Sequence, residues 1–173
     1  MLWAWGVGGV LLILLNPVVR LSAKPIEAIS DGLSPSQWAL AAVWVAFMMY
    51  SEAYRGFHKQ FAPRVVVRAL ALAHDPKPLP ALLAPLMCMG LLHANRKRKT
   101  VAWSLLTMIV LLVLAVRQLD QPWRGIIDMG VVLGLMSGMG SVLWFAGRAL
   151  AGSPPRVPPD LPDDVPVPGA TAA

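Results

Sequence analysis

Five stretches of apolar residues follow one another along the chain, separated by short polar segments rich in Gly, Pro, Ser and charged residues. They are Trp3–Val19, Trp38–Tyr54, Leu79–Leu92, Val101–Val116 and Trp123–Leu150. A helix needs about 20 mainly apolar residues to cross the roughly 30 Å hydrocarbon core of a bilayer. The pattern therefore predicts an all-α, polytopic membrane domain over residues 1–151. No Lys or Arg precedes the first stretch, so we expect a retained helix and not a cleaved signal peptide.

The third stretch is too short to cross a bilayer as a straight helix. Its 14 residues reach about 21 Å at 1.5 Å per residue, and they include Pro80 and Pro85. A broken backbone at membrane depth has to be shielded by protein or water. We therefore expect four spanning helices and one short or re-entrant helix, which is packed between the others.

The loop boundaries and one further helix also follow from the pattern. Lys24-Pro25 and Gly32 mark turns in the first loop, and Ser34-Pro35 marks the start of the second helix. Aromatic spacing extends that helix beyond the membrane to Ala62, where Pro63 is expected to interrupt it. Residues Arg64–Ala73 then predict an amphipathic helix in the headgroup region, although packing against a protein core fits the same pattern.

The distribution of the 15 Lys and Arg residues predicts the orientation, because short cytoplasmic loops collect basic residues. Four spans with both termini inside place 11 basic residues in the cytoplasm and 4 outside, whereas five spans divide them into 8 and 7. We therefore expect both termini to be cytoplasmic, with the bacterial inner (plasma) membrane as the default location. The first stretch alone, followed by Arg20 and Lys24, favours the opposite orientation.

The last part of the chain, residues 152–173, differs from the rest in composition. Seven of these residues are proline, and acidic residues outnumber basic ones. Such a segment cannot bury enough apolar surface to fold, so we expect a Pro-rich disordered tail.

Composition narrows the class of protein. Apolar residues make up 57% of the chain and charged residues 14%, which argues against a disordered chain and against an ordinary soluble domain. The net charge of +6 is spread between apolar segments, as at a membrane surface, so we expect no nucleic-acid partner. With Cys88 as its single cysteine, the chain can form no internal disulfide and no cysteine-based metal site.

The most specific motif lies in the fifth stretch, where Gly130, Gly134 and Gly138 recur every four residues. Small residues at this spacing let helix backbones approach closely. Two interpretations stay open: packing within the chain, or an interface with a second copy or a partner protein.

Two carboxylates in apolar surroundings are weak catalytic candidates, because an intramembrane charge is costly and suggests function. They are Glu52 and Asp128. The simpler interpretation is ion pairing, of Glu52 with Arg55 and of Asp128 with Arg124 or Arg117.

Two histidines, His58 and His93, complete the weak catalytic candidates. A haem held between them, or a metal held by His93 and Glu52, is a weak hypothesis, and we predict no metal and no cofactor. The chain contains no hydrolase, phosphate-loop, zinc-protease or nucleotide-binding motif. Whether it is an enzyme therefore stays open.

Basic residues on both sides of the third stretch are expected to face one leaflet together, either as a plain topology signal or as a site for anionic lipid headgroups. They are Arg55, Lys59, Arg64, Arg68, Arg96, Lys97, Arg98 and Lys99. The sequence thus predicts a non-enzymatic helix-packing subunit, assembly factor or scaffold with a basic cytoplasmic face. Its expected partners are membrane lipid and a second copy or another membrane protein. The alternative is a lipid-handling enzyme or small transporter that uses the intramembrane polar residues.

Overall fold

The computed structural model describes residues 2–74, 83–92 and 96–158, and the described backbone is helical, without strands. His93 and most of the predicted tail therefore lie outside the described residues. The helices are α1 (Leu2–Ser30), α2 (Pro35–Met48), the π-helix π1 (Met49–Phe61), α3 (Ala62–His74), α4 (Ala84–Cys88), α5 (Arg96–Val116) and α6 (Trp123–Leu150).

Three of these helices are long and apolar enough to cross a membrane, namely α1, α6 and the Lys99–Val116 part of α5. Helix α6 begins and ends at the predicted residues, and α5 ends where predicted but begins five residues earlier. The all-helical fold is thus confirmed for the described residues, and three of the four predicted spans are helices long and apolar enough to cross a membrane.

Helix α1 is longer than its apolar stretch. It continues through Pro17 and Pro25 to Ser30, so the turn predicted at Lys24-Pro25 is wrong. Spanning helices tolerate proline where neighbouring groups satisfy the freed backbone. The turn predicted at Gly32 is confirmed, and its φ of 86° lies in the left-handed region that favours glycine.

Helices α2, π1 and α3 form one unbroken helical stretch from Pro35 to His74. The predicted start is confirmed, because Ser34 caps α2 in a capping box with Gln37. The predicted interruption at Pro63 is wrong. The hydrogen bond from Ala62 N to Phe57 O is π-helical, and Pro63 therefore falls in the first turn of a new α-helix, where a missing N–H is tolerated.

Helix α3 packs its apolar face against the protein core. Its apolar face is buried in one cluster with residues of α1 and α6, including Val65 and Val66 from α3 and Val10 and Val142 from the other two helices. The apolar face that was predicted to meet the bilayer is therefore covered by protein, as in the alternative that the sequence left open. An amphipathic pattern records only that one face avoids water, and a protein core meets that need as well as a bilayer.

The described part of the third stretch, residues 83–92, packs against α1. A Cβ on Gly6 would lie 3.0 Å from Cys88 Sγ, and a Cβ on Gly9 would overlap the Pro85 ring. Cys88 and Ala84 are completely buried. This segment is therefore covered by protein, as its prolines predict.

Helix α6 runs antiparallel to α1 and parallel to α2–π1. The start of α6 meets the end of α1, where Gln121 Nε2 donates to Lys24 O at 3.2 Å. Along the other contact, Trp44 Nε1 donates to Ile127 O at 3.1 Å, and π1 follows the later turns of α6. The N-terminal end of α1, the end of π1 and the C-terminal end of α6 therefore lie at one end of the bundle.

Helix α5 stands apart from this bundle. Only 6% of the 18-residue apolar part of α5 is buried, against 33% of the corresponding part of α1 and 44% of that of α6. Trp103 Nε1 links it to the α4 segment by donating to Leu91 O at 3.2 Å.

Candidate functional site

The glycine stripe of α6 faces α2 and π1. A Cβ on Gly130 would lie 2.5 Å from Trp44 Nε1, and a Cβ on Gly138 would lie 2.5 Å from Phe57 Cγ. Real side chains do not approach this closely, so only glycine admits these two aromatic rings. The stripe is occupied by packing within the chain, and an interface with a partner would have to use another surface.

Glu52 lies in the middle of this contact. Its Oε2 atom would be 3.0 Å from a Cβ on Gly134, is buried and has no hydrogen-bond partner among the described residues. The described part of the chain contains no ion pair between Glu52 and Arg55, so that simpler interpretation is wrong. The side chain packs towards α6 and not along its own helix.

His58 contacts α6 two turns further on. Its Nδ1 lies 3.1 Å from Ser141 Oγ, and its ring centroid is 5.1 Å from that of Phe145 and 6.1 Å from that of Tyr54. Ser141 stands beside the glycine stripe, three residues after Gly138, but no feature of the sequence indicated that it would contact His58. The histidine is thus held by a hydroxyl and two aromatic rings.

Asp128 lies near the opposite end of α6. Its side chain is only 5% exposed, and its Oδ2 is 3.8 Å from Arg124 Nε, which is a charge contact longer than a hydrogen bond. The predicted pairing with Arg124 is therefore observed, and the alternative with Arg117 is not.

The described catalytic candidates do not converge. Glu52 meets Gly134 and His58 meets Ser141, so the two contacts are seven residues or about 10 Å apart along α6. Asp128 is a further six residues from Gly134 in the other direction. No group of three His, Cys, Asp or Glu side chains that could hold a metal occurs within residues 2–74, 83–92 and 96–158. His93 lies outside the described residues.

The basic residues divide into surface and interior positions. Arg55, Lys59, Arg96 and Lys99 are exposed, and Arg64 is half-buried with its Nη1 donating to Gln60 O at 2.8 Å. Lys97 and Arg98 belong to α5, but their side chains fall outside the described set.

Arg68 is the exception, because only 5% of it is exposed. Its Nη1 donates to Cys88 O at 3.2 Å, and its guanidinium fills the space beside Gly90, which has a φ of 80°. The prediction that Arg68 lies on a surface facing lipid headgroups is therefore wrong. The arginine ties α3 to the α4 segment inside the protein.

Cys88 has the environment of a structural residue. Its side chain is fully buried, and burial raises the pKa of the thiol to about 12 despite the charge of Arg68 nearby. A thiol reacts as the thiolate. Cys88 is therefore unsuited to nucleophilic or redox chemistry.

No protein-family model matches the chain, and no curated protein or solved structure is significantly similar to it.

Proposed function

We propose that the chain is a small integral membrane protein that serves as a non-enzymatic helix-packing subunit, assembly factor or scaffold, and that α5 is the helix it offers to a membrane protein partner. The observation that carries this proposal is the isolation of α5. Only 6% of its 18-residue apolar part is buried. A mainly apolar helix that its own chain leaves exposed belongs in lipid or against other helices.

The composition of α5 favours a protein partner over lipid alone. Thr100, Ser104 and Thr107 are spaced by four and three residues, so they share one face, and all three are exposed. Hydroxyl and small residues are enriched where membrane helices meet, since they allow close approach and interhelical hydrogen bonds. Thr100 Oγ1 donates to Arg96 O of the same helix at 3.0 Å, so the hydroxyls of Ser104 and Thr107 carry this argument.

The orientation belongs to the same proposal. Helix α2 with the first part of π1 serves as a fourth span, the termini are cytoplasmic, and the membrane is a bacterial inner membrane. The excess of basic residues on one side of the four-span arrangement supports it. The antiparallel contact of α1 with α6 is compatible with it, because it brings the two terminal helix ends to one side.

Site-specific photo-cross-linking in native membranes tests the partner. A benzophenone side chain replacing Ser104 is expected to yield a discrete protein adduct. The matched control is the same group replacing Leu143, which is 56% exposed on α6 and has no hydroxyl row beside it. The adduct mass distinguishes a second copy from another membrane protein.

Two results contradict the proposal. One is the absence of any protein adduct at Ser104, which would leave α5 covered by lipid. The other is an equal yield at Ser104 and Leu143, which would show only random collision. The double variant Ser104→Leu/Thr107→Leu keeps α5 apolar and is expected to abolish the adduct formed from a probe at Met108, an exposed neighbour.

A further inference from the structure

A groove of about 830 Å³ opens at the end of the bundle where π1, the end of α6 and the following segment meet. Its charged lining is entirely basic among the described residues, with Lys59 from π1, Arg148 from α6 and Arg156 from the segment after α6. The groove is separate from α5 and from the glycine stripe.

The chain builds this groove through a turn at Gly152. Gly152 N donates to Ala149 O at 3.2 Å, and Ser153 N donates to Arg148 O at 2.9 Å, which is the Schellman arrangement that ends many helices. The motif needs a left-handed residue, and Gly152 has a φ of 79°. The turn directs residues 153–157 into the lining of the groove, with Arg156 among them.

The three basic side chains are available to a ligand. Each is exposed, and none forms an ion pair with a carboxylate of the described chain. Lys59 Nζ lies 4.6 Å from the centroid of the Tyr54 ring, which keeps the ammonium at the groove. The last turn of α6 carries partial negative charge, and Arg148 in that turn offsets it.

We propose that this groove binds the phosphate group of an anionic lipid headgroup. Arginine and lysine side chains that line one groove, with no carboxylate among its described lining residues, suit a phosphate, which arginine engages through paired hydrogen bonds. Tyr54 and Ser153 add hydroxyl donors to the lining. Free inorganic phosphate would be bound by the same groups. The apolar residues around the groove therefore decide between a lipid headgroup and free phosphate as the ligand.

Those surroundings favour a lipid. Phe145, Pro63 and Val157 line the groove, and Trp144 and Leu150 are exposed beside it at the end of a helix that can span the membrane. Exposed tryptophan at a helix end is typical of the membrane–water interface. A headgroup at this level would leave its acyl chains against the apolar surface of α6.

The experiment uses the full chain in detergent and measures binding of a short-chain phosphatidylglycerol against phosphatidylcholine by native mass spectrometry. Each of Lys59→Gln, Arg148→Gln and Arg156→Gln is expected to raise the Kd for phosphatidylglycerol about fivefold, the equivalent of about 1 kcal/mol for one basic side chain. The controls Arg20→Gln and Arg117→Gln remove the same charge from exposed positions outside the groove and are expected to leave the Kd unchanged.

Two further arms sharpen the outcome. The charge-retaining variants Arg148→Lys and Arg156→Lys are expected to keep most of the binding, and millimolar inorganic phosphate is expected not to displace the lipid. Equal losses in groove and control variants, or equal binding of phosphatidylcholine, would overturn the proposal. Displacement by inorganic phosphate would overturn the lipid as occupant and leave a site for free phosphate.

Discussion

Arg68 shows how far a single residue can depart from its sequence pattern. It stands four residues after Arg64 on what looks like a basic helix face, yet it is buried and donates to Cys88 O. Spacing along a helix indicates which residues share a face but not what covers that face. The sequence predicted a short packed helix in the third stretch, but it did not indicate that the carbonyl of Cys88 would accept a hydrogen bond from Arg68.

The setting of Arg68 makes a prediction for Gly90. Gly90→Ala is expected to cost about 1–2 kcal/mol for the left-handed conformation, and more because the new Cβ would lie 2.5 Å from Arg68 Nη1. Gly32→Ala is the control, because Gly32 has a φ of 86° but open space around it. Thermal unfolding in detergent should show a clearly larger loss for Gly90→Ala, and equal losses would mean that Arg68 yields without cost.

At the scale of the elements, helix boundaries were predictable where a clear change from apolar to polar residues marked them. Helix α6 runs from Trp123 to Leu150, as predicted, because polar residues and proline bound a long apolar run. Helix α1 overran its prediction at Pro25, since proline limits a helix in water more strictly than in a packed membrane bundle. The π-helix had no sequence signal, because aromatic spacings of four and three suit a regular α-helix.

The packing of α6 makes a prediction for its glycines. Gly138→Ala is expected to destabilise the fold by about 1–3 kcal/mol, because the added methyl overlaps the Phe57 ring. Gly140→Ala, two residues away in the same helix with nothing within 4 Å, is expected to be neutral or stabilising by up to about 1 kcal/mol.

Unfolding by denaturing detergent measures both variants against the parent chain. The oligomeric state should not change in either one, because Gly138 contacts its own chain. A change of oligomeric state in Gly138→Ala or Gly134→Leu without loss of stability would instead assign the stripe to an interface between chains.

At the scale of the whole molecule, the relative directions of the helices constrain the membrane topology. The N-terminal end of α1 and the C-terminal end of α6 share one core cluster, so they lie at the same end of the bundle. A chain whose two ends lie on one side crosses the membrane an even number of times. Three candidate spans are an odd number, which is why the four-span proposal assigns α2 with the first part of π1 as the fourth.

This parity makes a prediction for reporter fusions. Alkaline phosphatase fused after Gly32 is expected to be active, because the α1–α2 turn would lie outside the cytoplasm. Green fluorescent protein fused after Arg156 is expected to fluoresce, because the segment after α6 would lie inside. Reciprocal fusions are the controls. Reporter activities that place Gly32 and Arg156 on the same side of the membrane would contradict the four-span arrangement.

The burial of Cys88 has a practical consequence for labelling. The only thiol in the chain is closed to solvent by α1 and α3 and is held in its protonated form, so the native protein should behave towards maleimides as if it had no cysteine. A spin label or fluorophore can then be attached at one introduced cysteine while the native residue stays in place. Because Cys88 packs directly on Gly6, its later modification would itself report local opening of the bundle.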